Sequence, residues 1–312
     1  MDQPTNAAAG SGIRRLAGST AVATLVLIAM GGAVRATDSG LACPDWPACY
    51  GQWIPPADLN IWLEHSHRLW AGVVALAILV LIIATGRRRN HDRWAWRASV
   101  LAGLLVLVQA GLGAIVVLLK LRAELVTAHL AMSFIVVALL IIIARRDAAQ
   151  PHRHGSTTRV QRLAAGVAGL VFAQAALGSH ATGHAAAYVF DAFPIWRTTD
   201  TWTATAGQVL HVAHRAGGYV VAAAVIAFAL AVHRAATTRS MRRFARLAVV
   251  LVTVQVALGV ANVLTNATEW SAISHLAVAS WLWATFIAAA TPMAVDDAPS
   301  PSPVHALEEV VA

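Results

Sequence analysis

The chain has 312 residues, of which 58% are apolar and only 12% charged, a balance that excludes an ordinary soluble domain and marks an integral membrane protein. Its formal net charge of +8 needs no nucleic acid to explain it, because membrane proteins collect arginine for topology and for contact with anionic lipid.

Crossing the hydrocarbon takes about 20 apolar residues per helix. Eight stretches meet that test, at about 16–36, 61–85, 98–119, 126–144, 163–180, 208–232, 244–264 and 271–293. The first follows Arg14 and Arg15 and so resembles a signal peptide, but with seven spans behind it we read it as an uncleaved helix.

The first span runs into Gly31-Gly32-Ala33-Val34-Arg35-Ala36-Thr37-Asp38-Ser39-Gly40, and a loop containing Cys43-Pro44-Asp45-Trp46-Pro47 follows. Gly, Pro and Trp make this a structured, turn-bearing lid. Both cysteines of the protein, Cys43 and Cys49, lie in it. Outside the cytoplasm such a pair can oxidise, either as a structural staple or in a redox role.

The second span opens with Glu64-His65-Ser66-His67-Arg68, where a carboxylate, two imidazoles and a guanidinium are each costly without a partner. The third carries Gln109-Ala110-Gly111-Leu112-Gly113, and the fourth begins Val126-Thr127-Ala128-His129. A polar stretch from Arg145 to Arg162 separates the halves.

The second half repeats the first. His67-Arg68 answers to His214-Arg215 at an offset of 147, while His129 answers to His275 and Gln109 to Gln255 at an offset of 146. An internal duplication of four spans each gives an all-α fold of two four-helix bundles, 1–150 and 151–312, related by a pseudo-twofold axis along the membrane normal. The tail from Asp296 to Ala312, rich in proline and acids, reads as disordered.

Arginines at 87–89, 93, 97, 145, 146, 153, 159, 162, 234, 239, 242, 243 and 246 fall on the same side as Arg14 and Arg15. By the positive-inside rule that side is cytoplasmic, and an even number of spans puts both termini there. His67, His129, His214 and His275 then lie near the outer ends of their helices, paired in depth within each bundle. Two haem irons between helices require such pairs. A single one of these residues would be read as a hydrogen-bonded core histidine; repetition at a fixed offset favours ligation. Zinc would need further ligands at each centre.

Arg68 and Arg215 are placed to reach haem propionates, or to snorkel towards headgroups. Glu64 stands one helical turn before His67, whereas its counterpart is His211. A carboxylate beside a haem edge can exchange protons, so the first half reads as catalytic and the second as an electron-transfer site. The alternative for Glu64 is a bond to Arg68 or to a loop amide. His65 points off the face shared by Glu64 and His67, and His180 and His184 border the third outer loop. His91, His152, His154, His233 and His305 fall in cytoplasmic segments.

These residues resemble the haem A synthase family. The resemblance rests on the 31–40 segment, the loop from Cys43, Glu64 with His67-Arg68, and the histidines of helices four, six and eight, and covers about residues 14–293. It implies oxidation of a ring methyl of haem O to a formyl group through an alcohol, in a bacterial cell membrane. The substrate haem is then expected between His67 and His129, with Glu64 essential, and a haem b cofactor between His214 and His275. Cys43 and Cys49 match the family's first-loop cysteines; a second pair found in some members is absent here. Haem O synthase and cytochrome oxidase assembly factors are the implied partners, with an unidentified electron donor, and self-association is compatible with the pattern.

Two rivals remain on the sequence alone. A dihaem b-type cytochrome that only relays electrons explains the four histidines but not why Glu64 stands in one half only. A transporter explains the repeat, but transporters place polar groups near the midplane, not at the outer ends.

Overall fold

Eight apolar runs become eight helices. The computed structural model describes residues 3–146, 159–194, 201–235 and 237–292. Arg153, Arg197, His152, His154, His305 and the tail from Asp296 lie outside those residues.

The helices are α1 (Gln3–Ala36), α2 (Leu59–Gly86), α3 (Arg93–Leu118), α4 (Ala123–Arg145), α5 (Arg159–Gly183), α6 (Ala206–Arg234), α7 (Arg239–Leu264) and α8 (Glu269–Ala290). A 3-10 turn, Ala186–Tyr188, lies between α5 and α6. Each of the eight is long and apolar enough to cross a membrane, so the chain is an all-α, multi-pass membrane protein.

Most helices outrun their apolar stretch at the arginine-rich end, because a charged turn continues a helix although it adds nothing to hydropathy. α3 begins at Arg93, five residues before its apolar stretch, under the cap of Asp92, whose carboxylate accepts the Ala95 N–H at 2.9 Å. Asp58 caps α2 by accepting the N–H groups of Asn60 and Ile61 at 3.0 and 3.1 Å. Thr205 and Gln208 form a reciprocal capping box at the start of α6, the Thr side chain taking one orphan donor and the Gln another. α8 stops at Ala290, short of the 293 expected, because Pro292 disfavours helical backbone at Thr291, which is extended at φ −83°, ψ 122°.

In sequence order each helix packs on the next, and α1 also packs on α4, α5 on α8. Contacts of α1 with α8, α4 with α5 and α4 with α8 join the first four helices to the last four. Helices in lipid associate through close packing rather than through exclusion of water. One buried cluster takes Val74 and Ile78 of α2, Ala102 of α3 and Val136 and Leu140 of α4. The other gathers α5 to α8 around Phe228, Leu282 and Phe286, with Leu25 of α1 and Phe134 of α4. Phe134 lies 4.8 Å from Trp283 and 6.1 Å from Phe172, centroid to centroid, locking α4, α8 and α5 together.

Small residues set the closest approaches. A Cβ on Gly183 would sit 2.4 Å from the Ala123 Cβ, and one on Gly32 would sit 3.0 Å from Leu276 Cδ2. Those two contacts bring α5 to α4 and α1 to α8 at the end of the molecule that carries the 37–58 loop.

That loop is ordered as its composition suggests. Cys43 and Cys49 are disulfide-bonded, and Cys49 and Gln52 exchange both backbone hydrogen bonds at 3.1 Å. The Asp45 carboxylate accepts the N–H groups of Tyr50 and Gly51, each at 2.6 Å. Tyr50 and Gly51 both have positive φ, 55° and 67°; at Gly51 the absence of a Cβ makes that conformation easy.

Candidate functional site

The opening turns of α2, α4, α6 and α8, at the loop-bearing end of the helix assembly, hold the chemistry. α2 enters at Leu59, and its first turns carry Glu64, His65, His67 and Arg68. Residues 64 and 68 are one turn apart and share a face. Glu64 is 3% exposed. Its Oε1 receives Arg68 Nη2, and its Oε2 accepts the Cys43 N–H at 2.8 Å. Arg68 Nη1 donates onward to the Asp45 and Ala48 carbonyls at 2.6 and 2.7 Å. Carboxylate and guanidinium therefore tie the 43–48 loop onto α2, satisfying two charges that would be costly alone in lipid.

The Asp45 carboxyl is held below the usual carboxylate range, chiefly by the Gly51 N–H, with the Tyr50 N–H and the Arg68 charge helping. It belongs to the same loop construction.

The second half repeats the tie with different chemistry. His211 Nδ1 donates to the Ala186 carbonyl at 2.6 Å, and its ring stands edge-on to Phe190 at 5.4 Å. Arg215 Nη2 reaches the Phe190 carbonyl at 3.5 Å. Positions 211 and 215 thus anchor the segment after α5 as 64 and 68 anchor the one after α1. Arg215, unlike Arg68, keeps buried donors in hand: its Nε and Nη1 have no protein partner.

The four repeated histidines each meet a glycine on the neighbouring helix. A Cβ built on Gly31 of α1 would lie 3.1 Å from His67 Cε1, and one on Gly113 of α3 would lie 3.2 Å from His129 Cε1. The corresponding figures are 2.6 Å for Gly178 of α5 against His214 and 3.3 Å for Gly259 of α7 against His275. His67 and His129 are electrostatic neighbours. His214 and His275 face each other with ring centroids 6.3 Å apart at 72°. A ring nitrogen about 2 Å from a metal on either side gives a separation of that order.

Nδ1 of His67, His129 and His275 is buried without a hydrogen-bond partner. No hydrogen bond at that atom accounts for the burial of these rings. The donor set, two imidazoles per centre with a glycine floor beneath each, fits a haem.

Two glutamines border the second pair. Gln174 Nε2 contacts His214 Nδ1 at 2.9 Å and donates to the His214 carbonyl at 2.7 Å, while Gln255 Nε2 lies 3.2 Å from His275 Nε2. Gln109 instead donates to the His129 carbonyl and to Ser133 Oγ at 2.9 and 2.6 Å.

The structure therefore brings together Glu64, Arg68, Cys43 and Asp45, and separately His67 with His129 and His214 with His275. His180 and His184 lie tilted against each other with ring centroids 4.4 Å apart. Sequence reasoning named Gly31 only as part of the 31–40 segment, and passed over Gly178 and Gln174. The two glycines lie 147 residues apart, the offset of His67 and His214, and that signal would have paired them.

Residues 14–287 match the family described as cytochrome oxidase assembly protein. A Heme A synthase of Shewanella oneidensis is 29% identical over 86% of this chain and 92% of its own length. One of Shouchella clausii is 28% identical over 87% and 94%, and one of Bacillus licheniformis 25% identical over 82% and 87%.

Proposed function

Since the chain belongs to the haem A synthase family and is an oxidoreductase of haem A formation, we propose that it oxidises one ring methyl of haem O to a formyl group by successive oxidations, through an alcohol. The observation that carries the reading is the duplicated histidine pair, each ring set over a glycine, with a buried carboxylate one helical turn before His67 and a histidine at the matching position before His214.

Haem O as substrate is assigned to His67 and His129, and a haem b to His214 and His275. A methyl C–H bond resists acid–base attack, so its oxidation to a formyl group would need iron together with an external oxidant that takes up the electrons and an oxygen donor, while the protein supplies position and a proton acceptor. A haem b held by His214 and His275 would supply one-electron transfer. Glu64 is the carboxylate nearest His67 on α2, so protons released as the methyl is oxidised have an acceptor at its oxygens.

The two arginines support the division of roles. Arg215 has buried Nε and Nη1 donors without protein partners, suited to a propionate of a permanently held group. Arg68 gives its Nη atoms to Glu64 and the loop, so the first site grips its haem less, as a site that must release product should.

We read the helices as two four-helix bundles about a pseudo-twofold axis, with the arginine-rich end and both termini cytoplasmic in a bacterial cell membrane. Haem O synthase and oxidase assembly factors are partners suited to this reaction.

Optical and electron-paramagnetic spectra of histidine variants test the split of roles. His214→Ala and His275→Ala should each lose the tightly held low-spin haem, whereas His67→Ala should keep it. A normal bis-histidine spectrum in both C-terminal variants overturns the assignment.

A further inference from the structure

His65 lies outside the proposed haem chemistry, yet it is fully buried. Its Nε2 contacts the Trp53 carbonyl at 2.9 Å. A carbonyl only accepts, so Nε2 carries the hydrogen and Nδ1 bears a lone pair. Nδ1 is buried and has no partner. Both cysteines are also fully buried, and a ring nitrogen of His65 and the two Sγ atoms all lie within 4.8 Å of one another. A disulfide sulfur has no hydrogen to give that lone pair, so the oxidised arrangement leaves the imidazole unused.

We propose that Cys43, Cys49 and His65 form a redox-gated site for one divalent cation of the zinc class, open in the dithiol state and closed in the disulfide state. Opening requires a dithiol reductant. Its two thiols become a disulfide, and the two electrons and two protons pass to Cys43 and Cys49 as the S–S bond breaks. Binding then replaces the two thiol protons, which leave to solvent, with the cation.

Three features favour this occupant. Two thiolates and an imidazole are soft and borderline donors, the set that selects zinc-like ions. With Zn–S about 2.3 Å and Zn–N about 2.0 Å, tetrahedral ligand atoms stand about 3.5–3.8 Å apart, a spacing the cluster reaches once the sulfurs part. A divalent ion with two thiolates is neutral, whereas a monovalent ion would leave a net negative charge among buried side chains. The neighbouring Glu64 charge is already matched by Arg68, so the centre needs no other counter-ion. The fourth position is left to water.

The Cys43 N–H bonds Glu64, so the state of the cysteine pair reaches the carboxylate through one residue. The site itself does not depend on the haem reading.

Cadmium serves as the spectroscopic probe. The full chain in detergent, haems included, is reduced with dithiothreitol, freed of it anaerobically and titrated with Cd2+. The expected result is a thiolate-to-cadmium ultraviolet absorption saturating at one ion per chain, displaced by Zn2+ and absent from the oxidised protein. His65→Ala should weaken binding at least tenfold while keeping the absorption. Because that variant also loses the Trp53 bond, cadmium-113 magnetic resonance of the unsubstituted chain reads the donor set directly, and a two-sulfur, one-nitrogen shift is expected. No saturable binding by the reduced chain, or a shift given by sulfur without nitrogen, overturns the proposal.

Discussion

Glu64 accepts the backbone N–H of Cys43 through Oε2 at 2.8 Å. The carboxylate proposed for proton handling is thus also a structural link between α2 and the disulfide-bearing loop, with Arg68 on its other oxygen. The two roles come apart on substitution. Glu64→Gln keeps an acceptor for the Cys43 amide and loses the charge, whereas Glu64→Ala loses both.

If Glu64 takes protons, both variants should lower haem A formation by about 10²-fold or more while the low-spin haem spectrum persists. A Gln variant near the unsubstituted rate, beside an inactive Ala variant, would reduce Glu64 to a loop tie.

The glycine floors make a graded prediction. A Cβ at Gly178 would stand 2.6 Å from His214 Cε1, closer than real contacts allow, and one at Gly31 would stand 3.1 Å from His67 Cε1. Gly178→Ala should push the His214 ring aside, at an overpacking cost of about 1–3 kcal/mol, and lower the haem-to-protein ratio. Gly31→Ala needs a shift of only tenths of an ångström and should leave the low-spin haem in place. Equal haem content in the two variants would contradict the roles given to these glycines.

Much of this site is legible in the sequence. The duplication, the four histidines and the oddity of Glu64 against His211 follow from spacing alone, because metal-ligand chemistry restricts residue type and the repeat removes coincidence. Gly31 and Gly178 are harder, since a glycine in an apolar run has many explanations and only the partner helix shows which applies. The commitment of Arg68 to the Asp45 and Ala48 carbonyls was hidden for another reason: it depends on how the 43–52 loop folds, which a chain of Pro, Trp and Asp does not declare. His65, off the Glu64 face on a helical wheel, gains its interest only once the disulfide is seen beside it.

Asp45 supplies a pH dependence with a fixed sign. Its carboxyl is held low in the folded loop by the Gly51 and Tyr50 amides. Its contribution is therefore fully present above the ordinary carboxylate range and is lost as pH falls through the depressed folded value. Hydrogen-exchange protection of the Tyr50 and Gly51 amides should fall on acidification over that range. In Asp45→Asn, which cannot titrate, protection should be independent of pH there. The same acid-induced loss in the Asn variant would assign it to another group.

Arg215 makes a prediction of opposite signs for two states. Its buried Nε and Nη1 lack protein partners, a cost in the haem-free chain. Arg215→Leu should leave the haem-free protein as stable or more stable in thermal unfolding, yet retain its low-spin haem about 10-fold less tightly or worse, the scale of supporting contacts around a metal centre. Lower stability of the haem-free variant with unchanged haem retention would make Arg215 a structural residue only.

The central claim is that haem O is the molecule changed. The direct test expresses the chain in a host that makes haem O but no haem A, then extracts the haems and identifies them by chromatography and mass. The account predicts haem A together with its hydroxylated intermediate, dependent on Glu64. Haem B alone on a well-folded protein, with haem O confirmed in the same cells, would contradict it and leave a dihaem cytochrome that relays electrons without altering either ring.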